Sequence, residues 1–303
     1  VTRPFLADRP VDQDQDRASV ERGGLPLRAQ RRIHELNASQ RPLFTSTLTP
    51  AETIVCRQNG MEAVSQVMGA SVYHVGWRGL WASGGGELKT VTAAYENARQ
   101  LALSRMQQEA ALLHAHAVVG VKVDEKGSGV SEDLVEFSAV GTAVRIAGMA
   151  PAQYPALTLM EADELYKLHG AGYWPVGIAL GNCFWYEPHA DCASEGTYWS
   201  SELLTHARAS RASRDLAVAR FREFSRRLGG EAVVGVKIHR RGRDREYESN
   251  NTSHVAFWIE ILLLGTTVVR RGDALAPPRP ELVLDLAGKS RVHGETRELA
   301  IDD

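Results

Sequence analysis

The chain has 303 residues, 44% of them apolar and 24% charged, with a formal net charge of −2. That length suggests about two domains, and the composition is that of an ordinary globular protein. A net charge near zero excludes a global field that would demand nucleic acid or an anionic membrane as partner.

Residues 1–40 are rich in Arg, Asp and Gln, with Phe5 as their aromatic. Such a stretch buries too little surface to offset its ordering. A mostly mobile polar arm is expected, with a short helix near Leu27–Leu36. No apolar core follows its basic residues, so no signal peptide is expected. An apolar strand follows at 64–75, then the loop holding Gly84-Gly-Gly86, which lacks the lysine and hydroxyl of a phosphate-binding loop. Ala98, Leu101, Ala102, Met106, Ala110 and Leu113 then fall at steps of three and four. That spacing predicts a helix over 91–113 with one apolar stripe. A β-branched strand at 117–123, a polar loop at 124–133 and a longer strand from 134 complete this unit.

The same order returns. A strand is expected at 176–186, a helix at 203–228 ending at Gly229-Gly230, a strand at 232–238, a polar loop at 239–253 and a strand around 258–265. The apolar run Val255–Val269 is broken by Glu260 and Gly265, reads as a buried strand, and is too short for the roughly 18 apolar residues of a membrane helix. Beyond Arg271 the proline-containing segment 272–303 reads as a tail, with Leu282–Leu286 as one edge strand.

The recurrence is written in the residues themselves. Ala117-Val-Val-Gly-Val-Lys-Val123 reappears as Ala232-Val-Val-Gly-Val-Lys-Ile238, and Gly141-Thr-Ala-Val144 as Gly265-Thr-Thr-Val268. Gly60 and Gly69 are spaced as Gly172 and Gly181 are. A period this long means duplicated domains, not a solenoid. Strand, helix, strand, strand gives an α+β unit: a helix on one face of a small antiparallel sheet. Its open edges must be covered by the sister copy or by other chains, so a homo-oligomer is expected.

The glycine-punctuated first strand, the helix segment Ala98-Arg-Gln-Leu-Ala-Leu-Ser-Arg105, Ala117-Val-Val-Gly-Val121 and Ser138-Ala-Val-Gly-Thr-Ala-Val144 resemble the YbjQ-like family of heavy-metal-binding domains. The resemblance covers 41–148 closely and 151–271 more loosely, and leaves both tails outside. It implies two tandem dodecin-like β-α-β-β domains of bacterial type. It further implies a ring-shaped, pentamer-type assembly, with the two copies in one layer or stacked as two. The family's name points to a divalent or soft metal ion, and no other cofactor is expected.

Several residue sets are candidates for chemistry. Cys183, His189 and Cys192, with Asp191 beside them, have ligand types and spacing suited to a soft or borderline cation. Against this, Ser71 stands where Cys183 does in the other copy, which suits a small core residue. His114 and His116, two apart at a helix end, diverge by about 200° and read as ordinary helix-end histidines. Positions kept in both copies weigh more: Glu136 with Glu260, Arg99 with Arg214, Arg105 with Arg220. A strand carboxylate facing a helix arginine makes a structural ion pair or lines a ring channel. Gly120 and Gly235, inside strands, mark a bulge or a close backbone approach between subunits.

Arg208, Arg211, Arg214, Arg220, Arg222, Arg226 and Arg227, followed by Arg240, Arg241, Arg243 and Arg245, offer a nucleic-acid alternative. The matching loop of the first copy, 124–133, is acidic, so pairing between copies is the competing reading. Aromatic residues crowd the front half of the second copy and suit a core or a subunit contact. No His-Glu-x-x-His and no Gly-x-Ser-x-Gly is present. With three cysteines in no disulfide pattern, the sequence points to a cytoplasmic, non-enzymatic binding or scaffold protein. Its partners would be its own copies and another protein met through the tails, with no membrane.

Overall fold

A computed structural model describes residues 12–39, 45–74, 85–127, 134–150, 152–190, 204–249, 252–271, 282–284 and 290–292. Three helices open it: α1 (Gln13–Glu21), α2 (Leu27–Ala38) and α3 (Pro50–Gln58). Then come β1 (Met61–His74), β2 (Gly86–Glu87), α4 (Lys89–Leu112), β3 (Ala117–Gly127), β4 (Leu134–Ile146), β5 (Ala156–Leu157) and α5 (Ala162–Gly170). The remainder is β6 (Tyr173–Ala190), α6 (Leu204–Arg227), β7 (Ala232–Ser249), β8 (Thr252–Arg270), β9 (Leu282–Leu284) and β10 (Ser290–Val292).

Local chemistry sets the entries. Thr49 and Glu52 form a capping box on α3 with Pro50 in its first turn, and Glu161 and Glu164 form one on α5. Each pairing satisfies two otherwise orphaned backbone donors. The strands then build two four-stranded sheets, ordered β1-β4-β3-β5 and β2-β6-β8-β7. Within them β1, β4 and β3 stand in the same order and sense as β6, β8 and β7.

The layers stack as first sheet, α4, second sheet, α6. On one side of α4, Ser71 Oγ donates to Ala98 O at 2.7 Å and Arg105 Nη1 to Ala70 O at 2.6 Å. On the other side, Asn182 Nδ2 donates to Thr92 O at 3.0 Å, and the Tyr95 and Phe184 rings lie 4.2 Å apart. Alternation along a strand sends successive side chains to opposite faces. Leu180 and Phe184 therefore pack with residues of α4, while Ala179 and Cys183 pack with Ala209, Ala217 and Phe221 of α6. Glycine allows the close approach on both levels. A Cβ on Gly69 would collide with the carbonyl of Ala102, and one on Gly181 with that of Ala217.

Several expectations change here. The helix of the first unit is not covered by one sheet but by two, because both faces of the second sheet are apolar. The first sheet is not purely antiparallel, since β5 runs parallel to β3. The expected polar loop at 239–253 is instead a hairpin, with β7 and β8 paired out to Ser249 and Thr252. Within the stretch read as a polar arm, residues 13–21 and 27–38 are helical. Ile33 of α2 is buried, and Arg32 reaches Glu109 at 2.8 Å. At the other end, β9 pairs with β10 in a separate two-stranded sheet and joins neither large one.

Candidate functional site

The chemistry of the molecule concentrates where the second sheet meets α4. Arg99, 1% exposed, projects from α4 and places Nη2 2.6 Å from Glu125 of β3 and 3.3 Å from Glu260 of β8. Arg241 of β7 closes the cluster, 3.0 Å from Glu125 and 3.7 Å from Glu260. The Arg99 guanidinium carbon lies 4.9 Å from the Phe137 ring centre and 5.4 Å from that of Tyr95. A guanidinium tolerates such a site because aromatic faces attract its charge. Its Nε and Nη1 have no hydrogen-bond partner among the described residues. Burial, then repulsion from Glu125, raises the Glu260 carboxyl above its ordinary value, against the pull of Arg99 and Arg241. Burial likewise raises the Tyr95 phenol.

Backbone contacts extend this joint. The pairing of β3 with β4 skips Gly120 and Val121, as a bulge does. Their N–H groups turn outward and donate to Met160 O at 2.7 Å and Thr158 O at 3.1 Å. Thr158 in turn lies 3.1 Å from Thr266 Oγ1, which also accepts from Leu159 N at 3.0 Å. Gly120 has φ +60°, and a Cβ there would strike Glu161. From the other direction, β2 pairs with β6, and Glu87 meets Arg220 of α6 at 2.5 Å.

The paired positions singled out in the sequence behave unequally. Glu260 is ion-paired, but with Arg99 of the other unit, so the expected strand–helix pair forms across units. Glu136 is exposed. Arg214 is 60% exposed and meets Asp215, its neighbour, at 3.4 Å. Arg105 and Arg220 do match: each donates Nη1 to a strand carbonyl, of Ala70 and Asn182. Gly120 and Gly235 share φ near +60°, yet nothing lies within 4 Å of a Cβ on Gly235.

The arginines of β7 do not form one stripe. Strand alternation divides them: Arg240 turns to Ser210 and His206 of α6 at 3.1 and 3.0 Å, and Arg241 to the joint. Arg243 is exposed, and Arg245 pairs through its backbone with Ala256. Glu125 and Tyr95 were not singled out in the sequence. The available signal was the charge inversion at one strand position, Glu125 against Arg240.

Of the proposed metal ligands, Cys183 is fully buried beside α6, and burial pushes its thiol up to about 12. The side chain of His189 and all of Cys192 lie outside the described residues. His114 and His116 do not diverge as they would along a helix, because His114 takes φ +54°. Both border one cleft with Glu62 and Arg145. Among the described residues no three His, Cys, Asp or Glu side chains group as a metal site. Burial and Glu52 also raise the Cys56 thiol, which disfavours the thiolate a metal needs. Of the cysteines, Cys56 and Cys183 are therefore poor thiolate ligands as they stand in the fold. No described helix is long and apolar enough to cross a membrane.

Comparison with known proteins places this architecture. The chain is 30% identical over 242 residues to the encapsulin nanocompartment protein Rv1762c of Mycobacterium tuberculosis, covering 76% of this chain and 87% of that protein. The chain belongs to the family of that protein. Residues 43–147 in addition match the YbjQ_1 family, described as putative heavy-metal-binding. The YbjQ domain thus spans α3 to β4 and contains Arg99, Glu125 and Gly120, one side of the joint. Glu260 and Arg241, the other side, lie beyond it.

Proposed function

We propose that this chain is a non-enzymatic scaffold or binding component of an encapsulin nanocompartment, built from two tandem YbjQ-like β-α-β-β copies. The mycobacterial relative carries the nanocompartment part of the reading, because this chain spans 87% of it. Support for a second copy comes from the shared strand order and from matched hydrogen bonds. Thr142 Oγ1 accepts Thr47 N at 2.9 Å just as Thr266 Oγ1 accepts Leu159 N at 3.0 Å. A self-assembled, ring-like particle in the bacterial cytoplasm follows, with five chains as the count the family resemblance favours. Residues 272–303 are the segment proposed to meet the shell, since within 1–40 helix α2 is already packed on the body through Ile33 and Arg32.

Co-expression with an encapsulin shell protein, followed by sedimentation of the assembled shells, tests this. The full chain should travel with the shells, and a chain lacking residues 272–303 should lose most of that capture. Full-length chain that stays in the supernatant overturns the reading. Metal binding through Cys183, His189 and Cys192 is the weaker alternative, since Cys183 sits in the core. Metal analysis of the purified protein beside Cys192→Ala tests it: equal metal content in both discards that trio.

A further inference from the structure

We propose that a second copy of this chain docks its first sheet onto α6 and β7. The joint inside one chain is then repeated head-to-tail between chains. This rests on the tandem-copy reading above and names the surfaces that reading leaves open.

The internal joint is the template. Its α4 side has a counterpart on α6 and β7 in which each part is present but uncovered. Arg99 is buried, while Arg214 at the matching turn is 60% exposed. Val121 is 2% exposed, and its counterpart Val236 is 46%. Ile238, matching the partly buried Val123, is 61% exposed. The β7–β8 pairing skips Gly235 and Val236 as the β3–β4 pairing skips Gly120 and Val121. In β3 those freed N–H groups reach the 158–160 segment. In β7 open space stands beside Gly235.

The opposite side of the joint also has a free counterpart. Leu180 and Phe184 of β6 are buried against the first unit, whereas Met68 and Val72, their matches on β1, are 51% and 65% exposed. Glu260 binds Arg99, and its match Glu136 is exposed. Residues 46–48 sit on Thr142 as 158–160 sit on Thr266.

The two free surfaces therefore fit each other by the contacts already made once. Val236 and Ile238 cover the apolar face of β1. Arg214 and Arg240 converge on Glu136. Gly235 N–H and Val236 N–H donate to Leu48 O and Ser46 O. A second copy is the occupant because one chain carries both halves of the contact on different surfaces. Such a contact is heterologous, and it closes into a ring or runs on as a filament.

Light scattering on the full-length chain tests the docking. Val72→Glu blocks one surface and Ile238→Glu the other, and both positions are exposed, so both variants should keep the wild-type circular dichroism. Each variant alone should lose the higher assembly. Mixed together, they should form a dimer and stop there, since one good surface remains on each. Glu136→Arg should weaken association by roughly 10-fold or more, and Glu136→Arg with Arg214→Glu should recover part of the loss. If the wild type assembles and neither surface variant disturbs it, the docking geometry is wrong while the scaffold reading stands. If the single variants fall apart but their mixture stays monomeric, the contact is not head-to-tail. A strictly monomeric wild type overturns the docking and the self-assembly reading together.

Discussion

Helices α4 and α6 are both 24 residues long, and each sends an arginine to a strand carbonyl, Arg105 to Ala70 of β1 and Arg220 to Asn182 of β6. Yet α4 buries eleven side chains and α6 five. The five on α6 all fall on one stripe, at Ala209, Ser213, Ala217, Phe221 and Ser225. Helix α4 keeps that stripe as Ala98, Ala102, Met106 and Ala110, and adds a second through Thr92, Tyr95, Arg99 and Leu103. The second stripe is partly polar, and it is buried because the second sheet covers it and brings Glu260 to the arginine, opposite Glu125 of the first sheet. Burial here is decided by what lies opposite a helix face, not by the hydropathy of the face.

The strongest way to break the comparison is to remove the buried arginine. Arg99→Ala takes the buried partner from Glu125 and Glu260, leaves them only the exposed Arg241, and should lower stability by about 3–5 kcal/mol, while Arg214→Ala in the undocked Ile238→Glu background should change it by less than ~0.5 kcal/mol. Urea unfolding midpoints measure both, and equal losses would show that the two helices are equivalent after all. Next come the close approaches that the helices share. Gly69→Ala and Gly181→Ala each force a methyl into a helix carbonyl and should each cost about 1–3 kcal/mol, similar in the two units.

The bulge glycines separate the units more finely. In the undocked Ile238→Glu background Gly235→Ala suffers only from its positive φ, about 1–2 kcal/mol; Gly120→Ala in the same background also meets Glu161 and should cost more. Thermal midpoints of the two variants give the order directly. The smallest effect is in the pH profile. The folded-state carboxyl of Glu260 titrates above its ordinary value of 4.5, so the folded protein binds more protons than the unfolded one just above that pH. Its contribution to stability therefore falls as pH rises through that window and recovers as pH drops. Glu260→Gln should flatten the slope, read as unfolding free energy against pH from about 4 upward. An unchanged slope would place the titrating group elsewhere.

Much of this fold was legible because side-chain period reports which residues share a face. The stripe Ala98–Leu113 places α4, and the β-branched runs place β3, β4, β7 and β8. The glycine intervals mark where strand and helix touch. Period does not report which face meets which element. Arg99 and Glu260 are 161 residues apart, and no local pattern links them. Two-residue strands such as Gly86–Glu87 carry too little sequence to show a period at all. Basic residues on β7 mimic a solvated loop, because strand formation there depends on the long apolar β8 beside it.

The exchange of short strands between units has a mechanical consequence. Glu87 and its neighbour Gly86 leave the first unit to border β6, and Ala156 and Leu157 come from the lead-in of the second to border β3. Hinging the halves apart would tear two hydrogen-bonded ladders as well as the ion cluster. Separation of the two large sheets is therefore opposed by two backbone ladders and an ion cluster at once, so a load on one sheet is passed to the other rather than taken up by a flexible joint.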